Sequence, residues 1–196
     1  MSAGTRIPAA EVSGPLGRIV TAVSRRKLGR TPDSLGVMWN NRTVLLSLSS
    51  FGQKAEKKWD ACDADLKSYA HMAVAAQVGC SFCLDFGYFQ AHNHGLDLSK
   101  ASQVPRWHES DAFTPLERDV LTYAEAMTAS PPEVSDELSA RLLDQLGAPA
   151  LVELSAWIGF ANATARTNIA LGIGSEEFSS VCSVPLAAPS PRTVAA

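Results

Sequence analysis

Leu151, Leu154, Ile158, Ala161, Ala165 and Ile169 recur at spacings of three and four, the repeat of a single helix face. The stripe is long for a surface helix. Its later members are small, which lets a neighbouring helix come close. Nowhere does the chain alternate apolar and polar residues for long enough to build a sheet. The pattern therefore predicts an all-α fold.

Other segments repeat the signal. Trp59, Cys62, Leu66, Ala70, Ala73 and Gln77 mark a second helix face, and Gly79 reads as its stop. A further helix is predicted from Cys80 to about Gly95. Thr114-Pro115-Leu116-Glu117 carries a cap, a proline at the first helical position and the glutamate of a capping box. Leu116, Val120, Tyr123, Ala124 and Met127 form its buried stripe. Ser135 caps a helix with Leu138, Leu142 and Leu146. Near the start, Leu16, Ile19, Val20 and Val23 give a short helix. Arg25, Arg26 and Lys27 suit its C-terminal dipole and Gly29 ends it. Pro32-Asp33-Ser34 opens one helical stretch toward Phe51, and residues 96–113 read as a short helix or loop. The predicted organisation is a flexible arm over 1–13, one helical domain over 14–180, and a disordered tail over 181–196 rich in Ala, Pro and Ser.

Charge narrows the function classes. A net charge of -3 and a pI near 5.8 give no electrostatic footprint for nucleic acid or an anionic membrane. No apolar run is long enough to span a bilayer. The opening residues have no apolar core of a secretory signal, so a cytoplasmic location is expected. Four cysteines among 196 residues do not make a disulfide scaffold. A catalytic or redox pair fits better.

That pair is Cys80-Ser81-Phe82-Cys83. Two thiols three residues apart can form a disulfide, hold a metal or attack an oxidant. At a helix start, the free backbone N–H groups and the dipole favour a thiolate on the first of them. Cys83 lies one turn in, on the same face. Zinc held with His92 and His94 is disfavoured: nine helical residues from Cys83 to His92 span roughly 13 Å, whereas zinc ligands lie within about 2.0–2.3 Å of one point. Cys62 and Cys182 read as bystanders.

The run Val74-Ala75-Ala76-Gln77-Val78-Gly79-Cys80-Ser81-Phe82-Cys83, followed by Ala91 and Gly95, resembles the core of the carboxymuconolactone decarboxylase and alkylhydroperoxidase D-like family. The second half agrees through Phe113-Thr114-Pro115-Leu116-Glu117-Arg118, Tyr123-Ala124-Glu125-Ala126-Met127-Thr128, Leu151-Val152-Glu153-Leu154 and Asn162-x-x-x-Arg166-x-Asn168. The resemblance spans about residues 30–175. It implies an alkylhydroperoxidase D-like helical bundle that assembles with itself as a trimer or hexamer. It also implies thiol-dependent reduction of hydroperoxides or small disulfides, on a small hydrophobic or peroxide substrate, recharged by a thiol or lipoyl-type reductant, with no cofactor and no metal.

Three positions depart from the family's peroxidase pattern. Ser68 stands where it has Glu, Gly87 where it commonly has His, and Phe82 where its prototype has another His. The usual proton relay is thus missing, and weak peroxidase activity is expected. His71, three residues after Ser68 on the same helix face, is the candidate substitute. The candidate catalytic set is therefore Cys80, Cys83 and His71. Asp85 reads as a proton carrier or as a solvated acid of the first turn. Asn162, Arg166, Asn168, Glu153 and Tyr123 read first as a structural hydrogen-bond network. The dipole favours Cys80 as the thiolate, while the family implies attack by the second cysteine, so the two roles stay unassigned. The alternatives are a lactone decarboxylase and a non-catalytic helical oligomer that binds a ligand or senses redox state.

Overall fold

A computed structural model describes residues 4–189, and among these the regular elements are all helical. The α-helices are α1 (Gly14–Leu28), α2 (Asp33–Trp39), α3 (Arg42–Lys58), α4 (Ala64–Val78), α5 (Ser81–Asn93), α6 (Leu98–Ala101), α7 (Pro115–Thr128), α8 (Asp136–Leu146) and α9 (Ala148–Leu171). Two 3-10 stretches lie at Val104–Glu109 and Phe178–Val181.

Helix α4 is the hub. Leu66, Tyr69, Ala70, Met72, Ala73, Val74 and Ala75 are all buried, so the helix is apolar around most of its circumference and has to be enclosed. Helices α5, α7 and α9 and the first 3-10 stretch enclose it. Asp63 caps its start by accepting from Asp65 N–H at 2.7 Å. Gly79, left-handed at φ 79°, ends it and donates to Ala75 O. Helix α9 matches the expected stripe: Leu154, Ile158, Ala161 and Ala165 are buried. The capping box on α7 forms as its sequence predicts, and Lys100 pairs with Glu117 at 3.0 Å.

Three expectations are corrected. The stretch from Pro32 to Phe51 is two helices, because the Asn41 side chain accepts from Val44 N–H and starts α3 afresh. Trp59 and Cys62 precede α4, in the turn that joins it to α3. Glu153 of α9 holds this turn, accepting from Ala61 N–H at 2.9 Å, Cys62 N–H at 3.3 Å and Lys67 Nζ at 2.6 Å.

The third correction concerns the ends. Residues 4–13 are docked rather than loose: Arg6 N–H donates to Leu171 O and Ala10 N–H to Gly36 O, both at 2.9 Å. Gly36 permits that approach, since a Cβ there would lie 3.0 Å from Ala9 Cβ. At the other end, Tyr88 Oη donates to Val184 O at 2.7 Å and Ala187 N–H to Ser102 O at 2.9 Å, so 182–189 lie against the core. The remainder of the expected arm and tail, 1–3 and 190–196, falls outside the described residues. No helix among the described residues is long and apolar enough to cross a membrane.

Helices α1 and α3 flank the core on one side and keep exposed apolar residues, among them Ile19, Val23, Leu46 and Phe51. Phe51 meets Phe160 of α9 with ring centroids 4.8 Å apart. Between these two helices and α4, α5 and α9 lies a cavity of ≈ 970 Å³.

The buried Lys67–Glu153 pair yields a stability prediction. Burial alone would raise the Glu153 pKa, but Lys67 and the two backbone N–H groups outweigh it and hold the carboxyl below its usual 4.5. A depressed carboxylate contributes stability above its unfolded pKa and loses it as pH falls through the folded value. Glu153→Ala strands the Lys67 ammonium and should cost about 3–5 kcal/mol in urea unfolding at pH 7. The deficit should shrink below pH 4.5, where the wild type loses the same contribution.

Candidate active site

Cys80 is the N-cap of α5. Its backbone is extended at φ -83° and ψ 94°, and its Sγ accepts from Cys83 N–H at 3.2 Å. The sulfur thereby satisfies one of the helix's otherwise free N–H groups. The Gly79 stop of α4 and the cap of α5 are adjacent, so the sulfur sits in the corner between two buried helices. Cys80 is 1% exposed and Cys83 5%.

The two sulfurs are electrostatically unequal. The Cys83 thiol donates to Cys80 and, with the backbone donors, lowers the Cys80 pKa despite the opposing effect of burial. Giving that hydrogen bond, together with burial, raises the Cys83 pKa. Asn168 Nδ2 of α9 donates to Cys83 Sγ at 3.3 Å and favours the charged form on either sulfur. Negative charge is therefore favoured on Cys80 over Cys83. Asn168 belonged to the sequence pattern, but nothing in its spacing set it apart from Asn162. Only the crossing of α9 over the start of α5 brings it to the sulfur.

Asp85 is neither a solvated acid nor a proton carrier. It is 4% exposed. Its carboxylate accepts from Ser175 Oγ, Glu176 N–H, Phe178 N–H, Ser179 N–H and Ser179 Oγ at 2.6–3.1 Å. Burial pushes its pKa up, yet these donors more than offset that and leave it depressed. Glu177, left-handed at φ 60°, supplies the bend that turns successive N–H groups inward. Asp85 thus pins the segment after α9 onto the cysteine helix, and Ser175 N–H adds a bond to Ser81 Oγ. The chain then returns over Cys80. Leu186, Ala187, Ala188 and Pro189 close a cavity of ≈ 310 Å³ whose floor includes Cys80, Ser81 and Leu84.

His71 does not line that cavity. It lines the ≈ 970 Å³ cavity on the other side of α4, together with Ser68 and Gly87. A Cβ on Gly87 would lie 3.3 Å from Met72 Cγ and 3.9 Å from His71 Cδ2, so His71 stands beside the position one turn along α5 from Cys83. Its ring faces Trp157 at 6.2 Å and lies deep in the protein, with part of its surface open to the cavity. Burial pushes its pKa down to about 4, leaving the imidazole neutral near pH 7. Phe82 packs on Phe86 and Phe178 in an aromatic cluster.

The remaining candidates have structural partners. Asn162 Nδ2 donates to Thr128 Oγ1 and an Arg166 N–H to Thr128 O, both at 2.9 Å, fixing α9 to the end of α7. Tyr123 Oη meets Ser155 Oγ at 2.8 Å. Burial pushes the Cys62 thiol up to about 11 and raises Cys182 as well, which makes both poor nucleophiles near neutral pH. His92 and His94 are exposed. Among the described residues no three His, Cys, Asp or Glu side chains are grouped to hold a metal.

Comparison with known proteins identifies the family and the fold. The model of the carboxymuconolactone decarboxylase family matches residues 48–126. The chain is 33% identical to YnjA of Escherichia coli K12 over 142 residues, which are 72% of this chain and 76% of that protein. The fold is similar to the alkylhydroperoxidase AhpD core of a peroxidase-related protein from Ralstonia eutropha JMP134, with TM-score 0.80, 17% identity and coverage of 92% and 97%. It is also similar to the debrominase Bmp8 in complex with 2,3,4-tribromopyrrole, with TM-score 0.78, 20% identity and coverage of 92% and 96%.

The inequality of the sulfurs sets an expected order of reaction. Iodoacetamide should modify Cys80 before Cys83 in peptide mapping, with an apparent pKa below the ordinary thiol value of about 8.5. Asn168→Ala should raise that apparent pKa, because it removes a hydrogen bond that favours the charged sulfur. Equal labelling of both cysteines would contradict the assignment.

Proposed function

The chain belongs to the carboxymuconolactone decarboxylase family, and from that premise we propose that it is a thiol-dependent oxidoreductase that reduces hydroperoxides with Cys80 and Cys83. The observation that carries the proposal is the sulfur pair itself: a favoured thiolate at a helix N-terminus, with a second thiol hydrogen-bonded to it. The family and fold support a peroxidase-like role. The Bmp8 structure bears the name of a debrominase, so one fold serves more than one chemistry. The paired sulfurs favour redox chemistry here over lactone decarboxylation, which needs acid and base groups.

The steps balance with the groups present. The Cys80 thiolate attacks the terminal peroxide oxygen, the O–O bond breaks, and the alkoxide takes the Cys83 thiol proton to leave as an alcohol. Cys80 becomes a sulfenic acid. The Cys83 sulfur then bonds to the Cys80 sulfur, and the hydroxyl departs as water with a proton from solvent. One hydroperoxide is reduced by two electrons and two thiols become one disulfide. An external dithiol must restore the pair. In this scheme Cys83 supplies the proton that Glu and His supply elsewhere in the family. His71 is outside the Cys80 cavity and is not needed for the step.

A single transferable proton is a poorer device than a relay that returns to its starting state. General acid–base assistance contributes about 10²–10⁴-fold, and turnover should fall short of relay-bearing peroxidases by a factor in that range. The test is mass spectrometry after stoichiometric cumene hydroperoxide. The wild type should lose two hydrogens on the peptide holding both cysteines, and dithiothreitol should restore them. Cys83→Ser should stop at a dimedone-reactive Cys80. If both thiols survive oxidant in the folded protein, the redox reading fails. A turnover as fast as an efficient peroxidase would refute the proton assignment.

A further inference from the structure

Cys80 is 1% exposed, which leaves its sulfur closed to a molecule the size of a hydroperoxide. Something must move before this thiol meets a substrate. The flanking helices do not give way cheaply: Ala75 of α4 and Leu84 of α5, which line the ≈ 310 Å³ cavity with Cys80, are buried in the core. The ≈ 970 Å³ cavity has neither sulfur in its lining, so the way to Cys80 runs through the smaller one.

The remaining wall is the chain after α9, and its two halves differ in firmness. Residues 175–179 form a fixed post. Asp85 gathers donors from Ser175, Glu176, Phe178 and Ser179. The Glu176 carboxylate accepts in turn from Asp33 N–H, Ser34 N–H and Arg30, each at 2.8 Å, which ties the post to the start of α2. Phe178 is buried beneath the Arg30 guanidinium and packs on Phe82, Phe86 and Phe89.

Residues 182–189 are held far more lightly. None of them is buried. Among the described residues two hydrogen bonds tie them to the helices: Tyr88 Oη donates to Val184 O, and Ala187 N–H donates to Ser102 O. Leu186 is partly buried against the core. Pro185 and Pro189 offer no N–H and restrict their own φ, so this stretch moves as a short stiff flap rather than coiling into a helix. Cys182 marks the joint with the post, where its N–H closes the last 3-10 turn on Ser179 O. Each of the two helix-tying bonds is worth roughly two- to tenfold in an equilibrium constant, so lifting the flap is a small local opening.

We propose that residues 182–189 are a gate over Cys80, latched by the Tyr88 hydroxyl and the Ser102 carbonyl, which swings about Cys182 while 175–179 stay fixed to Asp85. Closed, it shuts the sulfur from solvent. Open, it uncovers Cys80 and the start of α5. Tyr88 acts through the flap and does not line the cavity. The gate's part in turnover rests on the peroxidase reading, but access to Cys80 is measurable without any peroxide.

The reduced full-length protein is treated with iodoacetamide at pH 7, and each modified cysteine peptide is followed in time. Cys80 of the folded wild type should react more slowly than the same cysteine in the urea-unfolded chain. Tyr88→Phe keeps the buried ring and removes one latch, and it should speed Cys80 labelling about two- to tenfold. Ala187→Pro removes the other latch without touching a helix and should act in the same direction. Cys62, buried in the turn before α4, is the internal reference, and its rate should stay unchanged in both variants. Cumene hydroperoxide should oxidise both variants faster by the factor seen in labelling. If labelling speeds up while no variant forms a disulfide, the redox reading fails and the gate stands. The gate is overturned if Cys80 of the folded wild type labels as fast as in the unfolded chain, or if neither variant speeds its labelling. It is equally overturned if Cys62 accelerates in step with Cys80, the mark of general loosening.

Discussion

Burial of α4 on nearly every side is the constraint from which the rest of the molecule follows, because a helix with Tyr69, Ala70, Met72, Ala73, Val74 and Ala75 all inside has little surface to offer water. Enclosing it takes α5, α7 and α9 together. The small residues Ala161 and Ala165 are what let α9 approach closely enough to do so. The junction of α4 and α5 is only partly covered, with Gln77, Gly79 and Ser81 exposed, but Cys80 and Cys83 are buried. The Cys83 N–H at the start of α5 therefore needs an acceptor inside the protein. Cys80 is that acceptor. A sulfur in this position is structural and electrostatically primed at once, and the two roles have a single cause.

Asp85 gives the corner its second wall. An ionised carboxylate at this depth survives only because successive N–H groups and two hydroxyls from residues 175–179 converge on it. Those donors belong to the segment that carries the chain back across Cys80. Removing the charge would leave several buried N–H groups without acceptors, and the cover over the thiol would lose its anchor. Access to the first sulfur is thus linked to a carboxylate five residues further along the chain.

Much of this was legible in the sequence. Helix stripes, the Thr114 box, the Gly79 stop and the position of the cysteine pair at a helix start are local signals, and the fold they predict is the fold observed. The corrections all depend on long-range contacts. Asp85 reads as a surface acid because its partners lie about ninety residues away. Residues 4–13 and 182–189 read as loose because their composition is polar or small, while their anchoring is through backbone bonds to Leu171, Gly36 and Ser102, which composition does not reveal. Asn168 reads like Asn162, and only the crossing of two helices separates a thiol ligand from a helix clamp. His71 was correctly placed on the face of Ser68. What spacing could not show is that this face opens on a different cavity from Cys80.

The replacements at positions 68 and 87 also bear on the polarity of the sulfur pair. Glu and His at these places would bring an acid and a base to the floor of the large cavity, one turn from Cys83. Ser and Gly remove both groups and much of their volume. The remaining imidazole is neutral, since protonating it would bury an unpaired charge. Negative charge on Cys83 would have Asn168 as its one side-chain donor from another helix. On Cys80 the same charge receives a backbone N–H, the helix dipole and the neighbouring thiol. The surroundings of the two sulfurs thus favour charge on the first cysteine over the second. The favoured sulfur lies under the returning C-terminal segment, while Ser68, His71 and Gly87 line a separate cavity.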